Sequence, residues 1–139
     1  MVAATKFEVF SENLAEKVHN LDSDTLNIYL SNTAPNVATN AVKADLAEVS
    51  TGNGYSGPVD TQNATSRSGG TTTVTAVDIV ITASGGSIAA FRYVVLYNDT
   101  PTSPADPLIF YWDYGSALTV LTTETFTIDF GSNSVMTIA

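Results

Sequence analysis

IAAFRYVVLYNDTPTSPADPLIFYWDY, from Ile88 to Tyr114, holds two runs of β-branched and aromatic residues around a polar stretch with Pro101, Pro104 and Pro107. That composition predicts a strand, a loop and a second strand. Strict alternation places Phe91, Tyr93, Val95 and Tyr97 on one face of the first run and Ala90, Arg92, Val94 and Leu96 on the other. In the second run Leu108, Phe110 and Trp112 alternate with Ile109 and Tyr111. Both faces are mostly apolar, so the pair belongs in the middle of a sheet that is covered on both sides.

Working outward, the segments on either side supply the cover. TLNIYLSN (Thr25–Asn32) alternates Leu26, Ile28 and Leu30 with Asn27, Tyr29 and Ser31, which predicts a half-buried strand. Thr71–Ala83 reads as one strand with Val77, Ile79 and Ile81 on a shared face. Phe126, Ile128 and Phe130 point inward from a strand over Thr125–Phe130, and Val135–Ile138 forms a last short strand. Residues 41–49 fit either a helical turn or two or a short strand. Residues 51–70 are rich in Gly, Ser, Thr and Asn and read as one long polar loop, suited to an intersubunit contact or a mobile arm. Near the start, Thr5 and Glu8 have the spacing of a capping box. Phe7, Phe10, Leu14, Val18 and Leu21 then recur at helical spacing, which predicts an amphipathic helix over residues 5–20. The expected fold is mainly β: a single domain over 1–139, with that N-terminal α-helix and a β domain over 25–139. The β domain is an antiparallel sandwich or barrel of about six to seven strands.

Composition narrows the function. Hydrophobic residues make up 44% of the 139, enough for a core in a single domain of this size. The net charge is −9, and no Lys/Arg cluster exists to track a phosphate backbone or an anionic bilayer, so the sequence predicts neither nucleic acid nor a membrane as partner. The chain has no cysteine, which removes disulfides and thiolate zinc sites. MVAATKFEVF lacks the basic and apolar regions of a signal peptide, so the expectation is a product made and folded in a cytoplasm.

No nucleophile–base pair, phosphate loop or EF-hand can be assembled from the residue types and spacings, and no catalytic residue, cofactor or metal ligand is assigned. His19, the single histidine, sits at the predicted helix end and reads as a surface residue suited to the helix dipole. Asp99, Asp106 and Asp113 read as loop carboxylates and turn formers. Arg92, inside an apolar strand, is expected either at an interface or paired with an acid such as Asp78 or Asp129, since a buried unpaired arginine is too costly. Tyr111, Trp112 and Tyr114 read as core or interface anchors, or alternatively as a sugar-binding platform. Residues proposed to meet a protein partner are Phe7, Phe10, Leu14, Tyr55, Arg67 and Arg92.

VHNLDSDTLNIYLSNTAP, EVSTGNGYSG, SGGSIAAFRYVVLYNDT, DPLIFYWDYGSALTV and ETFTIDF follow one another in an order that resembles small virion proteins of tailed bacteriophages. The resemblance covers nearly the whole chain. It implies a non-enzymatic structural role, in the first place as a capsid decoration or cement protein located in the virion, on the capsid surface. Major capsid protein or other virion proteins would be its partners, and the chain itself a homo-oligomer, with a trimer favoured. The alternative it implies is a head–tail, tail or fibre-associated component with a carbohydrate- or receptor-binding β domain.

Overall fold

The computed structural model describes residues 2–139. The chain is mainly β, with antiparallel sheets and one short helix. In order along the chain the elements are β1 (Ala4–Lys6), α1 (Val9–Ala15), β2 (Leu26–Ser31), a 3-10 turn (Lys43–Asp45), β3 (Val59–Asp60), β4 (Ala64–Ser68) and β5 (Thr71–Thr75). There follow β6 (Ile79–Thr82), β7 (Phe91–Asn98), β8 (Leu108–Leu118), β9 (Thr125–Ile128) and β10 (Ser134–Ile138). They form three separate sheets, ordered β1-β8-β7-β2-β3, β10-β5-β4 and β6-β9. The strand number exceeds the six to seven expected, because short strands β1, β3 and β4 arise where a helix start and a loop were predicted and the strand predicted over Thr71–Ala83 splits in two.

The predicted central pair is central. β7 lies in the middle of the large sheet between β2 and β8, and all its residues except Arg92 are buried. Val94 and Leu96 face a core shared with Ile28 and Leu30 of β2, Val74 of β5, Ile79 and Ile81 of β6, and Ile128 and Phe130. Tyr93, Val95 and Tyr97 face a second cluster with Phe7, Tyr29, Leu46 and Leu108. The small sheets therefore cover one side in a sandwich-like arrangement, and the chain around Phe7 and Leu46 covers the other. TLNIYLSN is accordingly not half-buried: Tyr29 and Ser31 are as enclosed as Leu26 and Leu30.

Strict alternation breaks at two places. The β7–β8 register slips between Phe91 and Tyr93 and again between Leu96 and Tyr97. At the first slip Phe91 joins the cluster of Val94 and Leu96 instead of that of Tyr93. At the second, Ile109 is the extra residue, and Ile109 and Phe110, though adjacent, pack with the same cluster. An extra residue in one strand changes the parity of all that follows, which a period-two pattern cannot register.

The predicted helix over 5–20 shortens to Val9–Ala15. Ala4–Lys6 instead pair with Phe110–Trp112, and Glu8 caps the helix without a side-chain bond, so the capping box is not used. Ladder bonds to an already ordered strand satisfy the same backbone groups that another helical turn would have satisfied. The helix ends in a Schellman motif: Lys17 adopts φ 66°, its N–H bonds the Leu14 carbonyl, and Val18 N–H bonds that of Asn13. Val18 and Leu21 thus lie beyond the helix.

Residues 51–70 are not a free loop. A turn closed by Gly52 and Tyr55 leads into β3 and β4. The Tyr55 hydroxyl accepts the Leu30 N–H at 3.1 Å and donates to Glu48 at 2.6 Å, and Glu48 also meets Lys43 at 2.9 Å. Burial, and then the bond to Glu48, push the Tyr55 hydroxyl far above its ordinary pKa. The predicted strand Thr71–Ala83 divides into β5 and β6, and Val77, in the break, is exposed.

Gly54 is the tightest point of this packing. It has φ +105°, and a Cβ there would run into the Thr82 carbonyl. Gly69 has φ +59°, and a Cβ there would meet nothing within 4 Å. Gly69→Ala is expected to cost about 1 kcal/mol through backbone strain alone. Gly54→Ala should cost roughly 3 kcal/mol or more, because β6 must also move. Urea midpoints of the two variants check this, and equal losses would refute the close approach.

Candidate functional site

The sequence after α1 carries four short polar side chains in seven residues, Asn20, Asp22, Ser23 and Asp24 among Val18–Asp24. Asn and Asp favour such turns because they bond nearby backbone. Asn20 Oδ1 accepts the N–H groups of Asp22 and Ser23, and Asp24 Oδ2 accepts that of Asn20 at 2.8 Å. Longer bonds then fasten the turn to the sheets. Asp22 Oδ1 accepts the Thr65 N–H and hydroxyl, at 3.1 and 2.8 Å. Asn63 Nδ2 donates to the carbonyls of Leu21 and Asp24 while its oxygen accepts Leu26 N–H.

Asn98, at the end of β7, is fully buried and ties this turn to the central strand. Its oxygen accepts Thr100 N–H at 3.1 Å, and its Nδ2 donates to Asp24 Oδ2 at 2.7 Å. The amide orientation is therefore fixed by a donor on one side and a carboxylate on the other. The same Nδ2 lies 3.0 Å from His19 Nδ1. That ring nitrogen must be the acceptor, which puts the proton of the neutral imidazole on Nε2.

His19 is not the surface residue its position suggested. It is 6% exposed, its ring packs 5.2 Å from that of Phe10, and its Nε2 has no hydrogen-bond partner within the chain. An unpaired buried donor costs about 1–3 kcal/mol. Residue type alone gave no signal of this, because the burial comes from α1 ending early and turning the chain inward.

His19 lines a groove of about 450 Å³ between the α1 turn and one face of the β10-β5-β4 sheet. Leu14, Val18, Leu21, Val74 and Ile138 supply apolar walls, and Lys17, Asp22, Asp24, Thr65 and Thr72 the polar ones. Arg67 stands opposite Thr72 in the β4–β5 register, two residues from Thr65, and so shares this face of the sheet. Leu14 and Arg67, both proposed as partner-contacting residues, thus flank one feature. Among the other four proposed, Phe7, Phe10 and Tyr55 are inside the fold and offer no surface. Their apolar or aromatic character is used for the core instead.

Arg92 lies away from the groove on the large sheet. It forms a bidentate pair with Asp113 at 2.8 and 3.0 Å, not with Asp78 or Asp129. Asp78 instead accepts Phe130 N–H, and Asp129 accepts Gly131 N–H. The guanidinium bond holds the Asp113 carboxyl below its ordinary pKa. Asp106 is raised, first by burial and then by the neighbouring Asp99. Trp112 is buried, packed 6.0 Å from the Phe130 ring, so it anchors the core and presents no sugar-binding platform. Among the described residues no three His, Asp or Glu side chains are grouped to hold a metal ion, and no helix is long and apolar enough to cross a membrane.

Comparison of the chain with protein-family models, with curated proteins and with solved structures finds no match.

Two measurements follow from these environments. Tryptophan emission should be blue-shifted and poorly quenched by acrylamide until the chain unfolds; a red-shifted, freely quenched signal would contradict the Trp112 packing. The His19 pKa is lowered from 6.5 by burial, with Asp24 opposing. The unfolded chain therefore binds the proton more readily than the folded one. The stability this contributes is complete above the unfolded value of 6.5 and is lost as pH falls from there through the folded value. Denaturation midpoints should drop as pH falls below 6.5, and His19→Gln should flatten that drop. An unchanged slope in the variant would assign the titration elsewhere.

Proposed function

We propose that the chain is a non-enzymatic structural protein of tailed-bacteriophage virions, a decoration or cement protein that binds the shell of major capsid protein and stabilises it. The observation that carries the reading is the set of open strand edges. Each of the three sheets ends in unclosed strands, and the Ser/Thr-rich β4 edge is largely exposed. Exposed strand edges are templates for pairing with another chain. Val80 on β6 and Val77 just before it add exposed apolar surface, 60% and 49% accessible, beside one such edge. The order of motifs shared in pattern with small virion proteins supports the same assignment.

In this reading Arg67 and Leu14 lie on the side turned toward the shell, and a cyclic trimer would set three such surfaces around a symmetry axis. A ligand that binds only the intact shell stabilises it by mass action. Bare shells of the phage that carries this chain, incubated with the purified protein, should bind it saturably and melt at a higher temperature. Arg67→Glu should weaken that binding by about tenfold, since one lost charged contact is worth roughly that factor. Absence of co-sedimentation together with an unchanged shell melting temperature would overturn the assignment.

A further inference from the structure

A strand at the edge of a sheet offers unpaired N–H and C=O groups to another chain, and proteins guard such edges with charge, shortness, bulges or cover. Three sheets give six edges, and five of them are guarded. β1 carries Lys6, β3 is two residues long, and β10 has a bulge between Ser134 and Met136. β4 carries Arg67, and Asp22 takes its Thr65 N–H. The far side of β6 is flanked by residues 53–61: Val77 N–H bonds the Thr61 carbonyl, Ser84 N–H bonds that of Asn53, and the Thr82 carbonyl abuts Gly54.

β9 has none of these devices. Thr125–Ile128 reads TFTI, without charge or proline, and its register against β6 is unbroken. Bonds alternate along an antiparallel ladder. At the head of this one, Thr123 N–H bonds the Ala83 carbonyl and Ala83 N–H bonds the Glu124 carbonyl, which fixes the phase. Phe126 and Ile128 turn their backbone groups toward β6, and Thr125 and Thr127 turn theirs outward. Both threonines are exposed, and their outward groups have no hydrogen-bond partner among the described residues. The outer face beside them is uncharged. Val80, 60% accessible, stands opposite Thr127, and Thr82 stands opposite Thr125. The flanking carboxylates are committed to backbone, Asp78 to Phe130 N–H and Glu124 to Leu121 N–H.

The order of residues selects the occupant. Thr125-Phe126-Thr127 reads the same in both directions. Laid antiparallel on itself about Phe126, it sets Thr125 against Thr127 of a second copy, and cross-strand Thr–Thr pairs are stabilising. Glu124 falls opposite Ile128 of the other copy, so no like charges meet. We propose that β9 is a self-association edge, through which two copies of this chain join their β6-β9 sheets into one four-stranded sheet about a two-fold axis at Phe126. The outward N–H and C=O of Thr125 bond those of Thr127 in the second copy, and the Val80 and Thr82 faces become continuous across the axis. An edge that pairs with itself closes at two. The pairing does not rest on the shell reading. It leaves Arg67 free for a cyclic contact, because β9 runs on into β10, at the edge of its sheet opposite β4.

Light scattering on the full chain, over a dilution series from about 1 mM to about 1 μM, should show the mass fall from two chains to one. Association should strengthen as sodium chloride is raised from about 0.05 to about 0.5 M, because each copy carries −9 and no ion pair crosses the axis. Thr127→Lys guards the edge twice per dimer and should weaken association roughly tenfold or more, with the urea midpoint of the dilute protein nearly unchanged. Amide exchange in the unaltered chain reads the register without any substitution. The N–H groups of Thr125 and Thr127 should be slowed in concentrated but not in dilute solution, and that of Phe126 equally slow in both. A single-chain mass throughout the series would overturn the proposal, as would a trimer or a dimer that Thr127→Lys leaves intact. Thr125 and Thr127 amides that exchange at one rate at both concentrations would overturn it as well. Shell binding by Thr127→Lys, which keeps Arg67 and Leu14, tests the virion reading separately.

Discussion

The fold depends on the burial of one strand from both sides. β7 carries aromatic and aliphatic residues on each face, and no single layer can cover both. Fully burying each large side chain is worth roughly 1.5–3 kcal/mol, so leaving either face wet would cost more than a domain of this size has to spare. The two sides are solved differently. On one, β5, β6 and β9 stack as short sheets against the large sheet. On the other, Phe7, Tyr29, Leu46 and Leu108 close a smaller cluster under segments with little regular structure.

Those irregular segments are held by polar chemistry. Lys43 pairs with Glu48, its ammonium lies 4.8 Å from the Tyr29 ring centroid, and Glu48 receives the Tyr55 hydroxyl. At the far end of β7, Asn98 joins His19, Asp24 and Thr100. Buried amide and hydroxyl groups of this kind stabilise only when paired, so each fixes the course of the loop it meets. The loops are thereby made as definite as the strands, and the groove between the α1 turn and the β10-β5-β4 sheet is a consequence. Among the described residues three buried polar atoms, Asn13 Nδ2, His19 Nε2 and Asn27 Oδ1, are left over from this pairing.

Much of the fold was legible. The central pair, its burial on both sides, the inward faces of Phe126, Ile128 and Phe130, and the mainly antiparallel β class all follow from runs of β-branched and aromatic residues between turn signals. The partner-contacting residues were less so. Phe7, Phe10 and Tyr55 are chemically suited to an interface and to a core alike, and only burial separates the two uses. Arg92 was expected at an interface or beside Asp78 or Asp129, but the β7–β8 register, which sets Asp113 opposite Tyr93, brings Asp113 to it instead.

By itself, then, the sequence determined the class of fold, the strand that organises it, and the acidic, cysteine-free character that limits its partners. Period and composition are local properties, and they survive any tertiary arrangement. The tertiary structure decided the parity of Phe91 and Ile109 across two bulges, the exchange of a helical turn for β1, and the strands within residues 51–70. It also turned His19 from a presumed surface residue into the wall of a groove. Apart from β4, which pairs with β5 in a hairpin across Gly69 and Gly70, each of these turns on a pairing between residues far apart in the chain, where a ladder bond or a buried contact outweighs local preference by about a kilocalorie or more.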